Sequence, residues 1–115
     1  MTEPRVIHLE IVGKDPKALQ GFWSELLGWK LDTNTPTGYG MTDPADTGIV
    51  VGIGATPDGS AGHVTGYIRV DDIDATLARA VALGGSIIMP KFNAGPDAVL
   101  GLVADAEGHV IGLSE

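Results

Sequence analysis

The sequence predicts an α+β fold: two paired βαβββ modules forming a cupped mixed sheet around a cavity. Three observations predict it. Each half of the chain carries short β-branched, apolar runs and one stretch with helical periodicity. The residues that cap and stop the two helices correspond at a constant offset, Asp15 to Asp72 and Gly28 to Gly85, 57 residues apart. The closing strands match as well, "GIVVGI" against "GHVIGL", with Gly52 opposite Gly112 at an offset of 60. Such agreement marks an internal repeat, with modules at 5–56 and 63–115 inside one domain spanning 1–115. Four strands and one helix bury a single sheet face, so two modules should pair and enclose a cavity between their other faces.

In the first module "VIHLEIV" (6–12) reads as a half-buried strand. Asp15 is placed as a helix N-cap with Pro16 at the first helical position. Leu19, Phe22, Trp23 and Leu26 then form one apolar helical face, and Gly28 closes the helix. "WKLDT" is expected to be extended, "GYGMTD" to hold a short strand, and "GIVVGIGA" (48–55) to be the last strand. In the second module "VTGYIRV" (64–70) is a strand and Asp72 an N-cap. Ile73, Leu77, Ala80 and Val81 make the helical stripe, and Gly84 and Gly85 stop it. "SIIMP", "AVLGLVAD" and "GHVIGL" complete the strands. The segments "DTNTPTGYG", "GATPDGSAGH" and "PKFNAGPDA" are rich in Gly, Pro, Ser, Thr and Asn and read as rim loops.

Composition narrows the function classes. The chain has 115 residues and no cysteine, which excludes thiol catalysis, Cys-based zinc sites and disulfides and fits a cytoplasmic protein. The N-terminus "MTEPRVIHLE" lacks the apolar core of a signal peptide, and no apolar stretch is long enough to span a membrane. With 7 basic against 15 acidic residues and no Lys/Arg cluster, nucleic acid is not the expected partner. A neutral or cationic small molecule suits the net charge of −8 better.

The chain resembles the vicinal oxygen chelate superfamily, which includes glyoxalase I, extradiol dioxygenases, fosfomycin-resistance enzymes and bleomycin-resistance binding proteins. The resemblance is carried by "VIHLEIVGKDPKALQGFWSELLGWKL" (6–31), with Trp23 where the family usually has tyrosine, and by "YIRVDDIDATLARAVALGG" (67–85). "DAEGHVIGL" (105–113) is similar to the family's Asp-Pro-x-Gly-Asn ending, with His109 in the asparagine place. Among the superfamily it is most similar to glyoxalase-like proteins whose final strand reads Gly-Asn-x-x-Gly-Leu. The resemblance implies the paired βαβββ fold and a ligand site inside the cupped sheet. It also implies association of modules within or between chains, from which a homodimer is expected. It does not select among lyase, dioxygenase, transferase and binding roles.

Catalytic members hold a divalent metal through side chains on the first and last strands of each module. The corresponding positions here are His8, Thr65, Gly52 and Gly112: one good ligand, one hydroxyl and two glycines. A catalytic site normally needs about three protein ligands, so no metal or other cofactor is expected. A rebuilt site from His8, Glu10 and His63 is the alternative, since Glu10 shares a strand face with His8, and His63 shares one with Thr65. The two glycines either widen the cavity floor for a ligand or allow tight packing at the sheet centre. His109 is read as a turn residue.

The expected ligand-binding set is His8, Glu10, Gly52, Thr65, Tyr67, Arg69 and Gly112, with Trp29, Tyr39, Met89 and Phe92 as lining residues and Met41 beside them. Residues 7, 9, 11, 68 and 70 should pack beneath the helices. The function expected is binding of an apolar or cationic metabolite or antibiotic-like compound without a divalent metal. The alternative is a lyase, isomerase or dioxygenase using a non-standard metal site or His8/Glu10 acid–base chemistry.

Overall fold

A computed structural model describes residues 3–56 and 58–115. The described residues form an α+β protein with seven strands and three helices, in two compact units. The first unit is His8–Thr65 and the second is Met1–Ile7 with Gly66–Glu115. Among the described residues no helix is long and apolar enough to cross a membrane.

The first unit contains most of β1 (Arg5–Gly13), then α1 (Pro16–Leu27), β2 (Gly40–Met41), α2 (Pro44–Thr47) and β3 (Val50–Ala55). The Asp15 carboxylate accepts from the Ala18 amide and Pro16 stands in the first turn, so both N-terminal signals act as expected. Gly28 ends α1 at φ 73° and its N–H reaches the Ser24 carbonyl, the left-handed stop that glycine allows. β3 pairs in parallel with β1 and antiparallel with β2, giving the order β2-β3-β1. On β3, Val51 and Ile53 are buried core residues, as is Val12 on β1.

The second unit contains β4 (His63–Arg69, from Gly66 onward), α3 (Ile73–Ala82), β5 (Ser86–Gly95), β6 (Ala98–Ala104) and β7 (Val110–Ser114). Its strand order is β4-β7-β6-β5, with β4–β7 parallel and the other pairs antiparallel. Asp72 caps α3 through the Ala75 amide. A second carboxylate joins from the far end of the chain: Glu115 accepts from the Ile73 amide at 2.9 Å and pairs with Lys91 at 3.3 Å. Val70, Ile73, Leu77 and Leu113 form the core here, with Ile68, Val99 and Val103 against it. A groove of about 710 Å³ runs beside α3, with Val70, Ala75, Arg79 and Leu83 on its walls.

Four expectations are corrected. The α1 stripe is not a buried face: no α1 residue is buried, and Phe22 and Leu26 are 57% and 60% exposed. Val81, the last member of the α3 stripe, is also exposed. "WKLDT" forms no strand and touches the ladder only through an Asp32–Met41 bridge, while an unforeseen turn of helix, α2, precedes β3. "PKFNAGPDA" is strand as far as Gly95, with a turn at residues 96–97. β5 is an edge strand with irregular register, and an edge tolerates Pro90 because it has no ladder hydrogen bond to lose there. α3 itself stops where the glycines predict, with Leu83 at the cap and Gly84 at φ 98° directly after it. The predicted 54–63 loop includes Pro57, which lies outside the described residues.

Candidate functional site

Strand alternation along β1 sends His8 and Glu10 to one side, two residues apart. The parallel register sets Glu10 opposite Gly52 on β3. The second unit repeats that register, with Tyr67 on β4 opposite Gly112 on β7. The repeat read in the sequence is therefore present in the pairing of individual residues.

The room over each glycine is filled by a tyrosine. A Cβ built at Gly52 would overlap the phenol end of Tyr39, and one at Gly54 would press on the other edge of the same ring. Tyr39 thus lies along the two-glycine face of β3. In the second unit a Cβ at Gly112 would overlap the ring of Tyr67, which is itself buried. Of the two roles open to these glycines, the geometry realises close packing, and the expectation of an open cavity floor at Gly52 and Gly112 is corrected accordingly.

The Tyr39 hydroxyl joins the polar residues of the first unit. It donates to Glu10 Oε2 at 3.2 Å and lies 2.8 Å from His8 Nε2. When the phenol O–H points at Glu10, its oxygen can accept from His8 only in the imidazole tautomer protonated at Nε2. The His8 and Tyr39 rings are nearly parallel, at 13°, with centroids 6.1 Å apart. His63, half exposed, approaches the other carboxylate oxygen, Oε1 of Glu10, at 3.4 Å. Burial holds the His8 imidazole below its usual pKa, against the opposing pull of the Glu10 charge.

Local structure delivers Tyr39 to this place. Thr35 donates from Oγ1 to the Tyr39 carbonyl at 3.0 Å. Gln20 on α1 donates from Nε2 both to the Gly38 carbonyl and to the Ile53 carbonyl on β3, at 3.0 and 2.8 Å. Gly38 has φ 77°, a conformation that suits glycine. The loop before β2 is therefore pinned to α1 and β3 at its foot.

The other expected site residues are dispersed. Thr65 is buried in the first unit, and Trp29 is half-buried and stacks with Trp23 at a centroid distance of 6.4 Å. Arg69, Met89 and Phe92 are exposed on β4 and β5 of the second unit. Met41 lines a groove with Lys30, Asp32 and Asp43. His109 serves its turn: its backbone N–H and its Nδ1 both meet the Asp105 carboxylate, which also receives the Glu107 amide. These hydrogen bonds hold the Asp105 carboxyl below the ordinary carboxylate range.

Among the described residues no group of three or more His, Asp or Glu side chains is placed to hold a metal ion. Gly52 and Gly112 carry no side-chain donor, and the Tyr39 oxygen bridges His8 and Glu10.

The role of Tyr39 as hub was not expected. Two signals could have pointed to it. "GIG" on β3 leaves two residues of one face bare, and "GYG" sets the tyrosine between glycines.

Comparison with known proteins follows the same lines. The glyoxalase-like domain family matches residues 8–114. The protein named Putative glyoxylase CFP32 from Mycobacterium tuberculosis is 32% identical over 106 residues, covering 86% of this chain and 41% of its own length. The chain thus spans less than half the length of that relative. Among solved structures, a glyoxalase/bleomycin resistance protein/dioxygenase superfamily member from Vibrio splendidus 12B01 is similar, with a TM-score of 0.63 and 20% identity, covering 97% of both chains. The methylmalonyl-CoA epimerase of Mycobacterium tuberculosis is similar in fold with a TM-score of 0.63 and 17% identity, covering 96% of this chain and 86% of its own.

Proposed function

As the chain belongs to the glyoxalase-like family of the vicinal oxygen chelate superfamily, we propose that it binds a small molecule without a divalent metal. His8, Tyr39 and Glu10 are its polar recognition centre. One observation carries this reading: a single phenol oxygen engages both His8 and Glu10, while its ring takes the room over Gly52 where a metal-ligating side chain would stand. A carboxylate, a phenol and an imidazole together can receive a donor-bearing ligand. The net charge of −8 and the Glu10 carboxylate favour neutral or cationic compounds, whether metabolites or antibiotic-like molecules.

The test is a panel of cationic, neutral and anionic small molecules screened by thermal shift and calorimetry against wild type and Glu10→Gln. Cationic or neutral hits should weaken about tenfold or more in Glu10→Gln, the scale of one lost charge-assisted hydrogen bond. A preference for anions, or affinity indifferent to Glu10→Gln, would contradict the proposal.

A second reading rests on His8 itself. Burial favours its neutral form, and a phenol connects it to a carboxylate, an arrangement suited to taking up and returning a proton. On this reading the protein is a metal-free lyase or isomerase. Turnover that His8→Ala removes while circular dichroism stays native would select it over binding alone.

A further inference from the structure

The phenol of Tyr39 reaches His8 and Glu10 from backbone that lies just outside the sheet. β2 is two residues long, Gly40–Met41, and its pairing with β3 ends at Gly40 opposite Ile53. Tyr39 therefore stands one residue before the ladder. The strand beneath its ring gives support without a key, because Gly52 and Gly54 carry no side chain to stop the ring moving along β3. Yet its oxygen stands 2.8 Å from His8 Nε2 and 3.2 Å from Glu10 Oε2, and keeping both hydrogen bonds requires placement to about 0.5 Å.

Gln20 supplies a fixed point beside the tyrosine. From α1 its Nε2 donates to the Gly38 carbonyl at 3.0 Å and to the Ile53 carbonyl at 2.8 Å. Both acceptors are carbonyl oxygens, so one atom must give two hydrogens, which a primary amide does and a carboxylate or thioether does not. The Gly38 carbonyl belongs to the peptide that leads into Tyr39, and Ile53 lies between the two glycines under the ring. The Gln20 amide thus ties the root of the tyrosine to the strand it lies on. Gly40 leaves room for that amide: a Cβ there would stand 3.1 Å from Gln20 Nε2.

We infer that Gln20 is a positioning residue of this site: by holding the 38–39 peptide to β3 it sets where the Tyr39 hydroxyl stands between His8 and Glu10. The inference rests on the reading of His8, Tyr39 and Glu10 as the recognition centre, and it extends that centre to a residue on α1. Thr35, which donates to the Tyr39 carbonyl, holds the other side of the same residue.

The experiment removes the two donors and watches the phenol's neighbours. Gln20→Met keeps the length of the side chain and loses the amide, and Tyr39→Phe marks the His8 signal with the hydroxyl gone. In folded Gln20→Met the His8 Nε2 nitrogen resonance should move at least about half of the way to its place in Tyr39→Phe, the scale of a hydrogen bond stretched beyond its useful range. The Tyr39 ring resonances should move with it. His109, held by Asp105 in the second unit, should keep its wild-type signals and serves as the control. A ligand that depends on Glu10 should bind Gln20→Met about fivefold more weakly, as for one hydrogen bond lost from the site. His8 and Tyr39 signals at their wild-type places in folded Gln20→Met, or a Glu10-dependent ligand bound as tightly as before, would overturn the inference. Should Gln20→Met not fold, Gln20→Asn takes its place, since an amide one methylene shorter cannot span both carbonyls, and the same two outcomes decide. The two proposals fail separately. Shifted His8 and Tyr39 signals with no Glu10-dependent ligand in the panel sink only the proposed function. Ligands lost in Glu10→Gln, with His8 and Tyr39 unmoved in Gln20→Met, sink only the role of Gln20.

Discussion

Gly112 shows how a single missing side chain can be a packing decision. Its place on β7 is taken by the ring of Tyr67, and the same exchange occurs between Gly52 and Tyr39 on β3. Gly112→Ala should therefore act as overpacking in a filled site, costing about 1–3 kcal/mol. Thermal unfolding should show a melting temperature lower by several degrees, and Tyr67→Leu in the same chain should recover part of the loss. An unchanged melting temperature would mean that the ring does not rest on the glycine.

His8 makes a pH prediction with a definite sign. Its pKa lies below the unfolded value of about 6.5 because burial disfavours the imidazolium. Below that value the unfolded chain takes up a proton that the folded chain resists, so the His8 contribution to stability falls as pH drops from about 7 toward the folded pKa. The loss ends once both states are protonated. Chemical denaturation across this window should show stability falling with acidity, with a smaller slope in His8→Asn. A His8→Asn protein with the full wild-type slope would assign the acid sensitivity elsewhere. Asp15, Asp72, Gly28 and the two repeat glycines were legible at this scale because caps and stops act within one helical turn. Tyr39 was legible only as a lining residue, because its partners His8 and Glu10 lie 31 and 29 residues away and no local rule connects them.

At the scale of elements, α1 and β5 depart most from the sequence reading, for different reasons. Leu19, Phe22, Trp23 and Leu26 do share a helical face, but periodicity gives the direction of a stripe and not the width of the surface that covers it. The structure leaves Phe22, Leu26 and Leu27 at least half exposed. In the unassociated chain, Phe22→Ser should consequently change unfolding free energy by no more than about 0.5 kcal/mol, as an exposed substitution does. Ile73→Ala, which truncates a fully buried side chain on α3, should cost about 2–5 kcal/mol. Comparable losses in the two variants would show that the α1 face is buried in solution. β5 was hidden by Pro90 and Gly95, which punctuate a central strand but are admitted at a sheet edge. Its closing contact, Lys91 to Glu115, and the second cap from Glu115 to Ile73 span too much sequence to be read from spacing.

At the scale of the molecule, the α+β class was legible, since it follows from hydrophobic periodicity and punctuation in each half. The meeting of His8, Tyr39 and Glu10 at one oxygen was not, since Tyr39 comes from a segment separate from β1. The apolar patch of Phe22, Leu26 and Leu27 also belongs to this scale, because contiguous exposed apolar groups on a helix favour association. We propose a homodimer, and light scattering at micromolar concentration should report about twice the 11.9 kDa chain mass. A mass of one chain would contradict it.

The central claim is that the His8–Tyr39–Glu10 cluster recognises a ligand without a divalent metal, and elemental analysis tests it most directly. Protein purified without chelator, and again after incubation with nickel, zinc, manganese or ferrous iron and removal of the excess, should carry substoichiometric metal that His8→Ala leaves unchanged. Near-stoichiometric metal that disappears in His8→Ala would contradict the account and make His8 a ligand.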